Sequence, residues 1–68
     1  MREIPIRDDT IRLGQLLKLA GIADSGADAK DLLAAGEVRV NGEREHRRGR
    51  QLRRGDLIEA IGEQIRVA

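Results

Sequence analysis

Asn41-Gly42 constrains this chain more than any other pair of its residues. Both residue types accept positive φ, which a two-residue turn between antiparallel strands demands, so the chain is expected to reverse there. The residues before the pair have strand character. Val38 and Val40 alternate with Glu37 and Arg39, the period-two pattern of a strand with one packed face and one solvated face. The residues after it form an arm carrying Arg44, Arg47, Arg48, Arg50, Arg53 and Arg54, with Glu45 the one acid between the first and last of them. The stretch Gly36 to Gly55 therefore predicts a hairpin whose return arm is a cationic surface.

The formal net charge of +1 conceals that arm. Residues 1–37 hold five basic and seven acidic side chains, residues 38–55 seven and two, and residues 56–68 one and three, for local charges of −2, +5 and −2. Such asymmetry points to an anionic partner. Aromatic side chains are absent, which removes the stacking platforms of RNP-type sheets and oligonucleotide-binding barrels, so any nucleic acid would be bound by charge and shape. Arginine outnumbers lysine eleven to two. The guanidinium fork pairs with phosphate through two hydrogen bonds where lysine offers a point charge. A GC-rich genome, which also enriches Arg, Ala and Gly, is the bland alternative.

The 68 residues suit one domain spanning 1–68 with a small core, since a chain of this size buries only about 60% of the surface it exposes when unfolded. Cysteine is absent, which excludes disulfides and thiolate metal sites and fits a reducing cytoplasm. Met1 to Ile6 lacks the apolar core of a signal peptide, and no apolar run approaches a membrane span. The expectation is a soluble, cytoplasmic monomer with no membrane partner.

Taken in order, Glu3 to Arg7 predicts an extended segment, confined to a sheet edge because Pro5 has no N–H to donate. Thr10 is placed to cap a first helix from Ile11. Leu13, Leu16, Leu17 and Ala20 recur at i, i+3, i+4 and i+7 and form its apolar stripe, leaving Arg12 and Lys18 toward water. Gly14 within that helix costs about 1 kcal/mol against alanine, which predicts that another backbone packs closely there. Gly21 ends the helix, with Ile22 folding back onto the stripe. Ser25 caps a second helix, with Asp28 three residues on approximating a capping box. Ala29, Leu32 and Leu33 form that helix's apolar face, and Gly36 stops it. Leu52 is the apolar anchor of the arginine arm, Arg54-Gly55-Asp56 a turn, and Leu57–Ile61 and Gln64–Val67 two strands around Gly62-Glu63. The order predicts an α+β fold, with two short helices packed on one face of a small, mostly antiparallel sheet.

Catalysis has little to stand on. The only hydroxyl side chains, Thr10 and Ser25, are assigned to helix caps, His46 is a lone imidazole in an exposed loop, and the eight glycines form no phosphate-cradling spacing. No cofactor or metal is expected.

Leu16-Leu17-Lys18, Gly21, Ser25, Ala29-Lys30, Leu32-Leu33, Gly36-Glu37-Val38-Arg39-Val40-Asn41-Gly42-Glu43 and Gly55-Asp56 together resemble the S-four RNA-binding domain, or alpha-L motif. The likeness spans roughly residues 10–62 and is strongest to small stand-alone bacterial members. It implies a surface, made of both helices and the start of the following strand, that cradles structured RNA. Carried over by position, Lys18, Ser25, Lys30, Arg39 and Asn41 fall on that surface, and Arg44, Arg47, Arg48, Arg50, Arg53 and Arg54 extend it. Gly26 stands where many members have an arginine after the helix-two serine, which shifts weight onto the loop. Arg53 and Arg54 are weaker candidates, since Asp56, Glu43 and Glu45 lie within reach in sequence. The expected function is non-catalytic recognition of ribosomal or transfer RNA, on or near the ribosome. The competing reading is a protein interaction module whose basic loop docks an acidic, ribosome-associated partner.

Overall fold

Asn41 and Gly42 take φ of 51° and 87°, and the chain reverses between strand β3 (Val38–Val40) and strand β4 (Glu43–Arg44). Val40 faces Glu43, and Arg39 faces Arg44. This hairpin sits at one end of the larger of two sheets in a computed structural model that describes residues 1–68. The remaining elements are β1 (Arg2–Ile4), β2 (Thr10–Arg12), α1 (Leu13–Leu19), α2 (Gly26–Ala34), β5 (Gln51–Arg53), β6 (Leu57–Ala60) and β7 (Glu63–Val67). The five-stranded sheet has the order β1-β7-β6-β3-β4, while β2 and β5 form a separate two-stranded ladder. Only β1 and β7 run parallel, so the sheets are mostly antiparallel as the sequence predicts.

The strand alternation gives the large sheet one apolar face. Val38, Val40, Ile58, Ala60, Ile65 and Val67 join Leu13, Leu16, Leu17, Ala20, Ala29 and Leu33 of the helical half in one buried cluster that also takes in Ala23 and Leu52. Leu32, expected inside, is only partly buried against it. Ser25 Oγ accepts the Asp28 N–H at 3.2 Å, and Asp28 Oδ2 accepts the Asp24 N–H at 3.2 Å, so the start of α2 is closed reciprocally. At the end of α1, Gly21 adopts φ 75°. The Gly21 N–H there bonds Lys18 O at 3.0 Å and the Ile22 N–H bonds Leu17 O at 3.0 Å.

Three local expectations are corrected. Thr10 is not a helix cap: it opens β2, whose Thr10, Ile11 and Arg12 face Arg53, Leu52 and Gln51. A partner distant in sequence satisfies this backbone in extended form, and the helix begins two residues later than expected, at Leu13. The first strand is Arg2–Ile4 rather than Glu3–Arg7. It lies at the sheet edge, and its bonding to the end of the chain carries past Pro5: the Ala68 N–H donates to Ile4 O at 2.9 Å and the Ile6 N–H to Ala68 O at 3.0 Å, which leaves Pro5, with no donor, on the side away from β7. The last hairpin turns at Ile61-Gly62 rather than Gly62-Glu63, because pairing Ala60 with Glu63 extends the β6–β7 ladder by one step. Glycine then takes the second turn position at φ 78°, and Ile61 carries the first at φ 42°.

Candidate nucleic-acid interface

The residue before helix α1 is Arg12, which has no side-chain oxygen to cap it; Gln15 Oε1 accepts the Arg12 N–H at 3.4 Å. The first two N–H groups of the helix are closed from far along the chain: Leu13 donates to Arg50 O at 2.8 Å and Gly14 to Arg48 O at 2.9 Å. The arginine loop is thus the N-terminal cap of the helix it covers, supplying acceptors to donors that helix geometry leaves free. A Cβ on Gly14 would lie 3.3 Å from Arg48 Cβ and 3.4 Å from Arg48 O. The close backbone approach predicted at Gly14 therefore exists, and the approaching backbone is the loop.

Three further tethers hold that loop. The Glu45 N–H donates to Val38 O at 3.1 Å. His46 is exposed as expected, yet its Nδ1 lies 3.0 Å from Leu33 O in the last turn of α2. Leu52 is fully buried, as an anchor should be.

Glu45 is the one buried charged side chain. Its Oε2 accepts the His46 N–H at 3.0 Å and both the Arg47 N–H and Nε–H at 3.2 Å. Its Oε1 accepts Arg47 Nη2 at 3.2 Å and Arg50 Nη1 at 3.1 Å. The Arg47 side-chain hydrogen bonds, with help from the Arg47 N–H and Arg50 and against the opposing effect of burial, pull the carboxyl from its ordinary 4.5 down to about 2. A depressed carboxyl pKa stabilises the fold above the unfolded value and ceases to do so as pH falls through the folded one. Stability measured by urea midpoint is therefore expected to decline between pH 4.5 and pH 2. Glu45 should contribute roughly 1–2 kcal/mol of that decline after solvent screening, a portion missing in Glu45→Gln.

Beside the loop, a cleft of 340 Å³ opens between α1, the start of α2 and residues 48–49. Arg12, Lys18 and Arg48 line it without any acid, and Gly14, Gly26, Ala29 and Gly49 give it a low floor. A larger cleft of 840 Å³ lies elsewhere, but there Arg2, Arg39 and Arg44 are matched by Glu37, Glu59 and Glu63. Charge selects the smaller one for an anionic ligand.

The structure divides the residues singled out in the sequence. Lys18 and Arg48 meet in the cationic cleft, whereas Arg39 and Arg44 line the charge-balanced one. Arg39 also donates to Gly42 O at 3.3 Å. Asn41 spends both ends of its amide on the protein: Nδ2 donates to Asp56 Oδ1 at 3.1 Å, and Oδ1 accepts the Leu57 N–H at 2.9 Å. Ser25 is engaged as a cap, and Lys30 is exposed on α2 outside both clefts. The expected ion pairs are redistributed. Glu45 takes Arg47 and Arg50 rather than Arg53 or Arg54. Of the two arginines beside it, Asp56 engages only Arg53, and only through the backbone N–H at 2.8 Å, while Arg54 reaches Ile6 O at 3.0 Å and Asp9 at 3.5 Å. Arg12 and Gln15 line the cationic cleft and were not singled out; their spacing with Lys18, three residues apart on the side opposite the apolar stripe, is the signal that marks them.

A family model described as the S4 domain matches residues 4–68. The Bacillus subtilis (strain 168) protein RlbA, provisionally named a ribosome maturation protein, is 52% identical over 60 residues, covering 85% of this chain and 84% of that one. The Escherichia coli (strain K12) protein YbcJ, provisionally named an RNA-binding protein, is 37% identical over 57 residues, covering 84% of this chain and 81% of that one. Among solved structures, the 30S ribosomal protein S4e from Thermoplasma acidophilum superposes with a TM-score of 0.66 at 28% identity. The overlap covers 88% of this chain but 32% of the ribosomal protein.

Proposed function

Since the chain belongs to the S4 domain family and is an RNA-binding protein of that family, we propose that it grips folded ribosomal or transfer RNA by its phosphate backbone in the cleft between α1, α2 and the arginine loop. The observation that carries this reading is a cleft lined by three cations and no acid, floored by glycine and alanine. Arg12, Lys18 and Arg48 neutralise neighbouring phosphates and release their counterions, and the low floor lets the sugar-phosphate backbone approach both helices. Arg47, exposed at the loop, adds a further contact. Without aromatic side chains the protein has nothing on which to stack bases, so shape decides the target more than sequence does. In this reading the chain acts as a monomeric, cytoplasmic, non-catalytic domain spanning residues 1–68.

The test is binding to purified ribosomal RNA, bulk transfer RNA, single-stranded RNA and duplex DNA across a salt series. Folded RNA should bind tightest. The combined variant Arg12→Gln, Lys18→Gln, Arg48→Gln should bind it about 100-fold more weakly near 0.1 M salt, with the salt slope reduced by about 2–3. Binding that survives the triple variant would remove the cleft from consideration. No binding to any RNA at low salt would favour the competing reading, an acidic protein docked on the basic loop.

A further inference from the structure

An acid among phosphate-binding arginines would ordinarily weaken the site, because it repels the ligand and cancels a positive charge. The geometry around Glu45 argues the reverse. Five hydrogen bonds converge on its carboxylate, two from the backbone of residues 46 and 47 and three from the guanidinium groups of Arg47 and Arg50. Residues 47 and 50 are also the ends of a single turn, closed by the Arg50 N–H on Arg47 O at 3.3 Å. Arg48 lies inside that turn. Its carbonyl is held by Gly14, and it contributes to the cationic cleft.

We infer that Glu45 is a positioning residue for RNA binding: by fixing both ends of the 47–50 turn from within, its carboxylate holds Arg48 in the cleft and turns Arg47 outward. The inference rests on the reading of the cleft as the RNA site. Arg47 commits Nε and one Nη to Glu45, yet its side chain remains 76% exposed, so the fork is oriented without being withdrawn from solvent. Arg50, 32% exposed, serves mainly to complete the cluster. Three arginines within four positions repel one another when no anion lies among them. The loop then loses the geometry that places Arg48 over Gly14.

Positioning and simple electrostatics make opposite forecasts for one substitution. Glu45→Gln raises the net charge by one and keeps the side-chain shape. If Glu45 only repels phosphate, affinity for bulk transfer RNA rises and the salt dependence does not decrease. If Glu45 positions the turn, affinity falls by about tenfold and the salt slope shrinks by about one phosphate. Glu43→Gln is the control, since it adds the same charge at an exposed strand residue without an ion pair, and it should bind as tightly as the unchanged protein or slightly more so. A folded Glu45→Gln protein that binds as well as Glu43→Gln overturns the inference. Should Glu45→Gln fail to fold, Glu45→Asp, which keeps the charge but shortens its reach, should show the same loss; full binding by that variant overturns the inference equally. If the unchanged protein binds no RNA, the proposed function fails, and amide exchange then decides the positioning itself. The Leu13 and Gly14 amides, which donate to loop carbonyls, must exchange faster in Glu45→Gln for the loop-positioning step to stand.

Discussion

Gly14→Val is expected to lift the arginine loop from helix α1 and to cost both stability and RNA binding. A Cβ alone would meet Arg48 Cβ at 3.3 Å and Arg48 O at 3.4 Å, contacts that call for a shift of a few tenths of an ångström. Valine adds two methyl groups to that crowding and loses side-chain freedom in a helix. Overpacking of this kind costs about 1–3 kcal/mol. It falls on the hydrogen bond from Gly14 to Arg48 O and on Arg48 itself. Urea denaturation should show a loss of about 2 kcal/mol, and transfer RNA binding should weaken by more than about tenfold as one cation leaves the cleft. Gly14→Ala separates the two effects, because its helix-propensity gain of about 1 kcal/mol offsets the milder crowding. Its stability should stay near that of the unchanged protein.

Leu52→Ala should be the most damaging single change to the fold. Leu52 is fully buried, faces Ile11 across the β2–β5 ladder, and is the last apolar residue holding the loop to the core. Truncating a buried leucine costs about 2–5 kcal/mol, while a domain of this length has roughly 3–10 kcal/mol in total. The variant is expected to be largely unfolded at 37 °C by circular dichroism. Leu19→Ala is the comparison: Leu19, the last residue of α1, is 58% exposed, and its loss should lower the unfolding free energy by less than about 0.5 kcal/mol. Equal effects of the two truncations would contradict the assignment of the core.

What was legible in the sequence is what depends on near neighbours. Ser25 caps α2, Asn41-Gly42 turns the chain, and the apolar stripe of α1 is buried, because each follows from a few adjacent residues. Gly14 lies between the two kinds of feature. A glycine inside an apolar-striped helix announces a close approach, but nothing local names Arg48, 34 positions later, as the group that approaches. Thr10 departs from the expected cap for the same reason, since its extended form depends on a ladder to Arg53. Glu45 looked like an interruption in a run of positive charge. Its burial depends on a loop path that brings residues 46, 47 and 50 around one carboxylate, and no pairwise spacing encodes that path. The cationic residues were legible as a class. Their division between two clefts was not, because Arg39 lies on the solvent side of a strand and Arg48 faces a helix.

The cap that the loop places on α1 has a bearing on how the molecule assembles. Helix α1 has seven residues, and isolated helices shorter than about 12–15 residues are marginal in water. Closing the segment from Leu13 to Arg50 costs about 3 kcal/mol in chain entropy before the first bond between them forms. The β3–β4 and β6–β7 hairpins close locally and can form early, whereas the start of α1 waits for residues 48 and 50, and β1 waits for β7. On a chain emerging from its N-terminus, the segments of both helices and most of the charge emerge before residues 48–50, which close the cleft. The site therefore exists only once the loop has docked on the helices, and an unfinished chain presents loose arginines rather than a cleft.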